Sequence, residues 1–518
     1  MKTISNIMSV LLLASFALLP QAQAISPAPD GCYPVYTTAE GCDALHSLTT
    51  GAANTGLGWR SLYLNTTGSF NTGVGGGTLS LNNGDSNTAV GAAALLLNST
   101  GLNNTAIGAG ALVYNDTGNA NTVVGAFALY QNTTGGDNSA FGVSALSFNT
   151  TGNRNTAVGN QALVANNGDR NTATGAGALE TSSTGADNTA VGADALLNNT
   201  VGNQNTALGS TALGGNGEGN SNTAIGYNAL FHNATGDNNT ADGVEALFHN
   251  TIGGDNTADG HAALSGNTVG DFNTAAGSQA LFGNTQGNDN TAIGYQALFN
   301  NTLGDTNTAI GASALVANTT GSVNTALGLL AGSAVTTANN VICIGAIGEN
   351  VSNSCYIANI FNHTSTGASV VIDANSKLGT VTSSKRFKED IKSMETASEV
   401  LFSLKPVTFR YKKEIDPKRT SQCGLVAEDV EKVNADLVVC DKEGKPYSVR
   451  YDQVNAMLLN EFLKAHRKIQ ELEANAVRQE ANAAQQQKQI EALTAGLQRV
   501  SARLESSKAR TQTVLNNQ

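Results

Sequence analysis

The sequence predicts a mainly β chain: a parallel β-solenoid, or β-roll, of 17-residue repeats, then a small α+β domain and a C-terminal α-helical coiled coil. Three observations carry this. An asparagine opens each of seventeen copies of N-T-A-V-G-x-x-A-L-x-x-N-T-T-G-x-x, from Asn54 to Asn324, at a spacing of 17 residues. The spacing is 16 only from Asn71 to Asn87 and from Asn155 to Asn171. Of the 28 lysines and arginines, only Lys2, Arg60, Arg154 and Arg170 precede Lys377, so the chain joins a nearly cation-free half to an ordinary charged one. Finally, Phe462, Ala465, Ile469 and Leu472 begin an apolar seam at alternating spacings of three and four, which runs through Gln479 and Gln486 to Leu504. That is a heptad pattern, with the two glutamines as a register-setting polar layer.

A fixed short period means that each copy is one turn of a solenoid and buries its apolar positions only by stacking on its neighbours. Counting Asn as position one, position four is a branched aliphatic in most copies (Val90, Ile107, Val124, Val158). It reads as the inward side chain of a short strand. Asp242 and Asp259 then read as a local fault in that inward row. Leu at position nine (Leu62, Leu79, Leu95, Leu112 and onward to Leu315) forms a second inward row. Glycines at positions five and fifteen mark corners where positive φ carries no steric cost. Asparagines at positions one and twelve read as stacked, hydrogen-bonded ladders. Seventeen strand spacings of ~4.8 Å give a rod of roughly 80 Å. A 17-residue coil encloses little core, so several shafts are expected to associate.

Residues 1–24 read as a signal peptide, with Lys2, an apolar run over residues 10–19 and Ala22-Gln23-Ala24 as a small-x-small cleavage site. The apolar run is far shorter than the ~20 residues that span a bilayer, so no membrane span is expected and the product is secreted or held at the cell surface. A net charge of −12 with no basic patch on the shaft excludes nucleic acid as the expected partner. Six cysteines fall as three near pairs, Cys32 with Cys42, Cys343 with Cys355 and Cys423 with Cys440. Disulfides and free buried thiols are both compatible with that spacing. No metal site and no cofactor are expected: His232 and His249 share a repeat position but lack a third ligand. A host-surface or glycan ligand of the shaft is left open, and no sugar-hydrolysing carboxylate pair stands out.

After a connector that ends at Leu378-Gly379-Thr380-Val381-Thr382 comes Ser383-Ser384-Lys385-Arg386-Phe387-Lys388. Then follow Leu404-Lys405-Pro406-Val407-Thr408-Phe409-Arg410-Tyr411, Gly424-Leu425-Val426-Ala427-Glu428-Asp429-Val430 and Val449-Arg450-Tyr451-Asp452-Gln453-Val454. In that order these motifs resemble the peptidase S74 domain, the intramolecular chaperone of phage endosialidases, tail spikes and tail fibres. The repeats are similar to the left-handed β-roll heads of trimeric bacterial adhesins, at a different period. The first resemblance implies a homotrimer whose C-terminal domain assembles three chains and then cuts itself off at Thr382-Ser383. Ser383 would be the nucleophile and Lys388 the base of a single-turnover serine peptidase. Two departures stand out: Ser384 takes the place of the family's usual Asp, and Glu428 that of its Gln. The alternative is a structural adhesin that trimerises and never cuts. A trimeric autotransporter is disfavoured, because residues 509–518 are polar and carry no alternating membrane strands. The expected organisation is signal peptide 1–24, cysteine-containing segment 25–53, solenoid 54–338, connector 339–382, chaperone domain 383–455 and coiled coil 456–518.

Overall fold

The computed structural model describes residues 34–360, 369–373 and 375–515. The signal peptide and Cys32 lie outside the described residues. The chain forms two units, Met1–His363 and Thr364–Gln518, taken in turn below.

The first unit is the solenoid, whose twenty strands, β1 (Thr38–Glu40) to β20 (Ser354–Ile357), form one parallel sheet with one strand per coil. It takes in more chain than the sixteen- and seventeen-residue repeats. Thr38–Glu40 pairs with Thr55–Leu57 at one end, and Val341–Ile344 and Ser354–Ile357 add two coils within the expected connector. Register is kept position by position, as in Thr88↔Thr105, Ala89↔Ala106 and Val90↔Ile107. The two 16-residue coils keep it as well (Thr72↔Thr88, Thr156↔Thr172), so the missing residue is absorbed in the turn and not in the strand.

The inward row is not the one expected. Along each strand the alanine at position three is fully buried (Ala89, Ala106, Ala157), whereas the position-four aliphatics point outward and Ile107 is 41 % exposed. A three-residue strand has only two phases. Position three thus faces the buried Leu at position nine, the Ala at position eight and two asparagines, and takes a methyl group in most copies and the larger side chain of Val123 in one. Asp242 and Asp259 are therefore exposed on the outer face and interrupt no core.

The rest of the interior is amide. Asn104 donates from Nδ2 to the carbonyl of Gly118 (2.9 Å), and its Oδ1 accepts from the backbone N–H of Asn121 in the next coil (2.9 Å). Asn115 donates to the same Gly118 carbonyl (2.9 Å) and to Asn98 Oδ1 (2.6 Å), while Asn132 donates to Asn115 in turn (2.7 Å). The position-one ladder runs the length of the shaft, the position-twelve ladder is broken at Asn149, whose Oδ1 has no partner, and at Ser182, and both converge on the position-fifteen carbonyl. Where Val335 stands in place of the next asparagine, Asn318 Oδ1 is left without a partner.

The two glycine corners need glycine for different reasons. At position five the backbone is left-handed (Gly226, φ 126°), and a Cβ there would lie 2.6 Å from the carbonyl oxygen of Gly243. At position fifteen φ is not positive; the constraint is space alone, since a Cβ on Gly118 would meet Gly135 O at 2.4 Å. The leucines at position nine are left-handed too (Leu95, φ 51°), at ~1–2 kcal/mol of strain each. Complete burial of a leucine contributes ~1.5–3 kcal/mol, so packing wins over backbone preference.

The second unit contains three two-stranded antiparallel sheets, β21 (Val370–Ile372) with β22 (Leu378–Thr380), β23 (Val407–Phe409) with β24 (Gln422–Gly424), and β25 (Val438–Cys440) with β26 (Pro446–Val449). Its helices are α1 (Ala427–Val433) and α2 (Tyr451–Leu515), with a 3₁₀ segment over Glu395–Ser403. Its buried core is Val430, Leu437, Val438 and Val449, flanked by Val400, Leu404, Leu425 and Met457. At 1.5 Å per residue, α2 is about 98 Å long. Its heptad seam is exposed throughout, with Ile469, Leu472, Leu493 and Leu497 all more than half accessible. Among the described residues no helix is long and apolar enough to cross a membrane.

Replacing Gly226 by Ala is expected to destabilise the shaft by ~2–6 kcal/mol, the sum of disallowed φ and overpacking. Gly76→Ala is expected to be neutral or stabilising by ~0.4–1 kcal/mol, because nothing lies within 4 Å of its Cβ. Urea unfolding of the two variants checks both, and equal effects would contradict the corner assignment.

Candidate functional site

Thr382 and Ser383 leave β22 in extended chain, and Ser384 caps a single 3₁₀ turn, Lys385–Phe387. The Ser384 hydroxyl accepts from Arg386 N (3.4 Å) and Arg386 Nε (3.3 Å), the usual service of a serine at a helical N-cap. The turn closes through Phe387 N to Ser384 O (3.0 Å) and Lys388 N to Lys385 O (3.3 Å). The Arg386 guanidinium lies 5.3 Å from the centroid of the Phe387 ring. This turn separates the two expected catalytic residues and holds Ser384 in a structural role. That answers which of the two serines is occupied locally: it is Ser384.

Ser383 and Lys388 are both exposed, and no hydrogen bond joins them. A serine hydroxyl is a weak nucleophile, and lysine serves as its base only when desolvation and nearby cations lower its pKa. Lys385 and Arg386 supply cations in the adjoining turn, but a solvent-exposed Lys388 lacks the desolvation. In the single chain the two expected dyad residues are thus exposed and not joined to one another.

Downstream, the ordered motifs acquire physical roles. Leu404 packs against the small core and Val430 belongs to it. Phe409 and Tyr411 meet edge to face with centroids 5.3 Å apart. Tyr451 Oη accepts from Leu425 N (2.9 Å), and a Cβ on Gly424 would lie 2.9 Å from that hydroxyl, so Gly424 is the one residue that admits Tyr451. Val449 pairs with Val438 and completes the core.

Residues 383–439 match the family model described as chaperone of endosialidase, the peptidase S74 domain. This segment is a chaperone-of-endosialidase domain. No curated protein matches the chain. The match begins at Ser383 itself, the first residue after the expected scissile bond. The chaperone domain and the repeat solenoid ahead of it together describe a protein of tail-fibre type.

The domain also holds a polar network that the sequence motifs do not mark. Ser398 is fully buried and hydrogen-bonds Glu461, while Asn460 donates to Ser398 Oγ (2.7 Å) and to Glu395 O (3.1 Å). Lys464 bridges Glu461 (2.7 Å) and Glu399 (3.3 Å). Glu461 and Lys464 show the three-residue spacing of a helical ion pair, the only signal available, but their partners lie more than sixty residues earlier. The network ties the start of α2 to the Glu395–Ser403 segment. The bonds from Lys464, and then from Ser398, hold the Glu461 carboxyl below the usual carboxylate range.

Cys343, Cys355, Cys423 and Cys440 are free thiols, so the pairs Cys343 with Cys355 and Cys423 with Cys440 are not formed here; Cys32, the partner that spacing offers Cys42, lies outside the described residues. Cys343 and Cys355 sit on adjacent strands, but the register pairs Cys343 with Tyr356 and Cys355 with Ile342. Alternation along the strand then sends Cys343 inward, fully buried, and Cys355 outward, so the two sulfurs are on opposite faces. Cys423 and Cys440 belong to different two-stranded sheets, and Cys42 is exposed. Burial pushes the Cys343 thiol up from its ordinary pKa. In the shaft, His232 and His249 stack face to face (5.6 Å, 3°) beside the stacked pair Phe231 and Phe248 (5.6 Å, 12°), with edge contacts between the two stacks. Burial, and then the neighbouring imidazole, hold His232 below the usual histidine range. Among the described residues no group of three or more metal-ligating side chains forms.

Two outcomes follow. Maleimide at neutral pH is expected to label Cys423 in the folded protein and to spare Cys343 until it is unfolded; labelling of Cys343 at the rate of Cys423 would contradict the register. For Glu461, whose folded pKa is depressed, the stabilising contribution is present above the unfolded value of about 4.3 and is lost as pH falls through the folded value. Thermal melts between pH 6 and pH 3 are therefore expected to fall more steeply for the parent than for Glu461→Gln, which starts less stable and lacks this titration.

Proposed function

We propose that this chain is an exported homotrimeric surface or fibre protein whose C-terminal domain assembles the trimer and then releases itself between Thr382 and Ser383. The observation that carries the reading is the unfinished state of the second unit in a single chain. It buries four apolar side chains fully, yet exposes Phe387, Ile391, Phe402, Leu459, Phe462 and the α2 seam. Apolar surface on that scale marks an interaction face, and a heptad seam specifies helices as its partner. The chaperone-of-endosialidase match supports association of like chains, with three as the copy number.

The same reasoning applies to the dyad. A protease that must not fire before assembly is best left incomplete in the monomer, and the exposed Lys388 fits this. In the assembled state, burial of Lys388 by a neighbouring chain would lower its pKa and let it take the Ser383 hydroxyl proton. Ser383 Oγ then attacks the Thr382 carbonyl carbon. The Thr382-Ser383 C–N bond breaks as the amine leaves protonated, and an ester joins Thr382 to Ser383 Oγ. Water hydrolyses that ester, freeing residues 383–518 with an intact N-terminal serine. A non-cleaving adhesin is the second reading, favoured by one observation: Ser384 stands where the resemblance leads one to expect Asp, so an acidic partner is missing beside the nucleophile.

Intact mass of the purified protein decides between them. The expected result is a shaft ending at Thr382 and a separate 383–518 fragment, both abolished in Ser383→Ala and in Lys388→Ala. An undivided chain in the parent protein, with native mass still trimeric, would favour the non-cleaving reading.

A further inference from the structure

We infer that the outward face of the shaft strands is the surface on which copies of this chain pack against one another, parallel and in register. The inference rests on the reading of the protein as a self-associating fibre and names the surface responsible. Each strand presents positions two and four outward, and position two is Thr in all the repeats but one, where Ser139 stands. At position four Ile107, Val124, Val158, Leu208, Ile293 and Ile310 stay 36–48 % exposed, and the row continues into Ile344 and Ile357. Position six, just past the glycine corner, adds exposed Trp59, Val143, Tyr227, Val244, Tyr295 and Leu329. Scattered surface aliphatics require no explanation, but a row stacked coil upon coil, broken at position four only by Glu40, Thr174, Asp242 and Asp259, does.

Three arguments identify the occupant as a second copy. The first is area. Nineteen spacings of ~4.8 Å by a three-residue strand of ~10 Å give about 900 Å² per chain, the scale of the ~800 Å² that each partner buries in a stable complex. The second is charge. Over the twenty strands positions two, four and six carry no Lys or Arg, and only Glu40 in the first coil, Asp242, Asp259 and His261 bring titratable charge. Acidic residues such as Asp169, Asp237, Asp271 and Asp305 lie instead in the turns before many of the strands, where Arg154 and Arg170 also stand. Like chains thus meet fewer charges on the strand face than at those turns.

The third is register. Asp242 and Asp259 are paired neighbours on adjacent strands, so the charges occupy one level of the rod. Copies aligned in register share a single wet level. A slip of two coils or more sets these carboxylates against a neighbour's aliphatics, and an unpaired carboxylate removed from water costs more than an aliphatic contact returns. The near-identical coils are thereby given a mark by which the correct alignment differs from the others.

The test uses the full-length protein with p-benzoylphenylalanine in place of Ile293 or Ile310, and in place of Val201 or Leu303 at position fourteen as exposed controls. Native mass is measured first, then the protein is irradiated and run on a denaturing gel. A trimer with interchain adducts at Ile293 and Ile310, mapping to within one coil of the same position on the partner, and none above background at Val201 and Leu303, is the expected result. A trimer whose adducts are absent from the face, or equal at the controls, overturns the assignment of the surface. A monomer overturns the self-association reading itself.

Discussion

The asparagine that opens each coil accepts, through its side-chain oxygen, the backbone N–H of the asparagine that opens the next. That bond fixes the pitch of the shaft. A buried amide that lacks its partner costs ~1–3 kcal/mol, so a coil is satisfied only when another lies directly upon it, in register. The two ladders meet on the carbonyl of a glycine that must be glycine, because the next coil passes where its Cβ would stand. Strand pairing, the left-handed leucines and the alanine row all follow from holding the coils at that separation.

A fibre of this kind has strong axial specificity and weak positional specificity. Every coil accepts almost any other coil, since the bonding groups are the same throughout. Lateral packing of chains shares that ambiguity at every level but that of Asp242 and Asp259. The charged, non-repeating C-terminal unit differs in both respects. Its motif residues make one-off contacts, such as Gly424 making room for Tyr451 and Ser398 held by Asn460 and Glu461. Its apolar surface is left unfilled in one chain. A unit with unique contacts and an unfinished surface is suited to setting the alignment of chains that cannot set it for themselves.

Much of this is legible in the sequence. The repeat period, the asparagine ladders, the buried leucine row, the chaperone motifs and a long C-terminal helix can each be read from residue type and spacing, since each is a local pattern repeated or an ordered set of fixed residues. The position-four aliphatics were legible as strand residues but not as outward ones. In Thr-Ala-Val the larger apolar side chain is the natural candidate for the interior, and only the way the strand sits in the coil, with position three turned to the leucine and asparagine rows, sends it out. The solenoid's extra coils at Thr38–Glu40 and Ser354–Ile357 escaped the pattern because their loops depart from it while their backbone pairing does not.

The sequence by itself determined the pitch and composition of the shaft and the presence of a Ser-Lys pair at Ser383 and Lys388, because these depend on residue identity at fixed separations along the chain. The tertiary structure decided which row faces in, why each glycine is required, that Cys343 and Cys355 face apart, and that Ser384 is committed to capping its turn. These depend on what occupies the space beside a residue, and that neighbour comes from another coil or from more than sixty residues away.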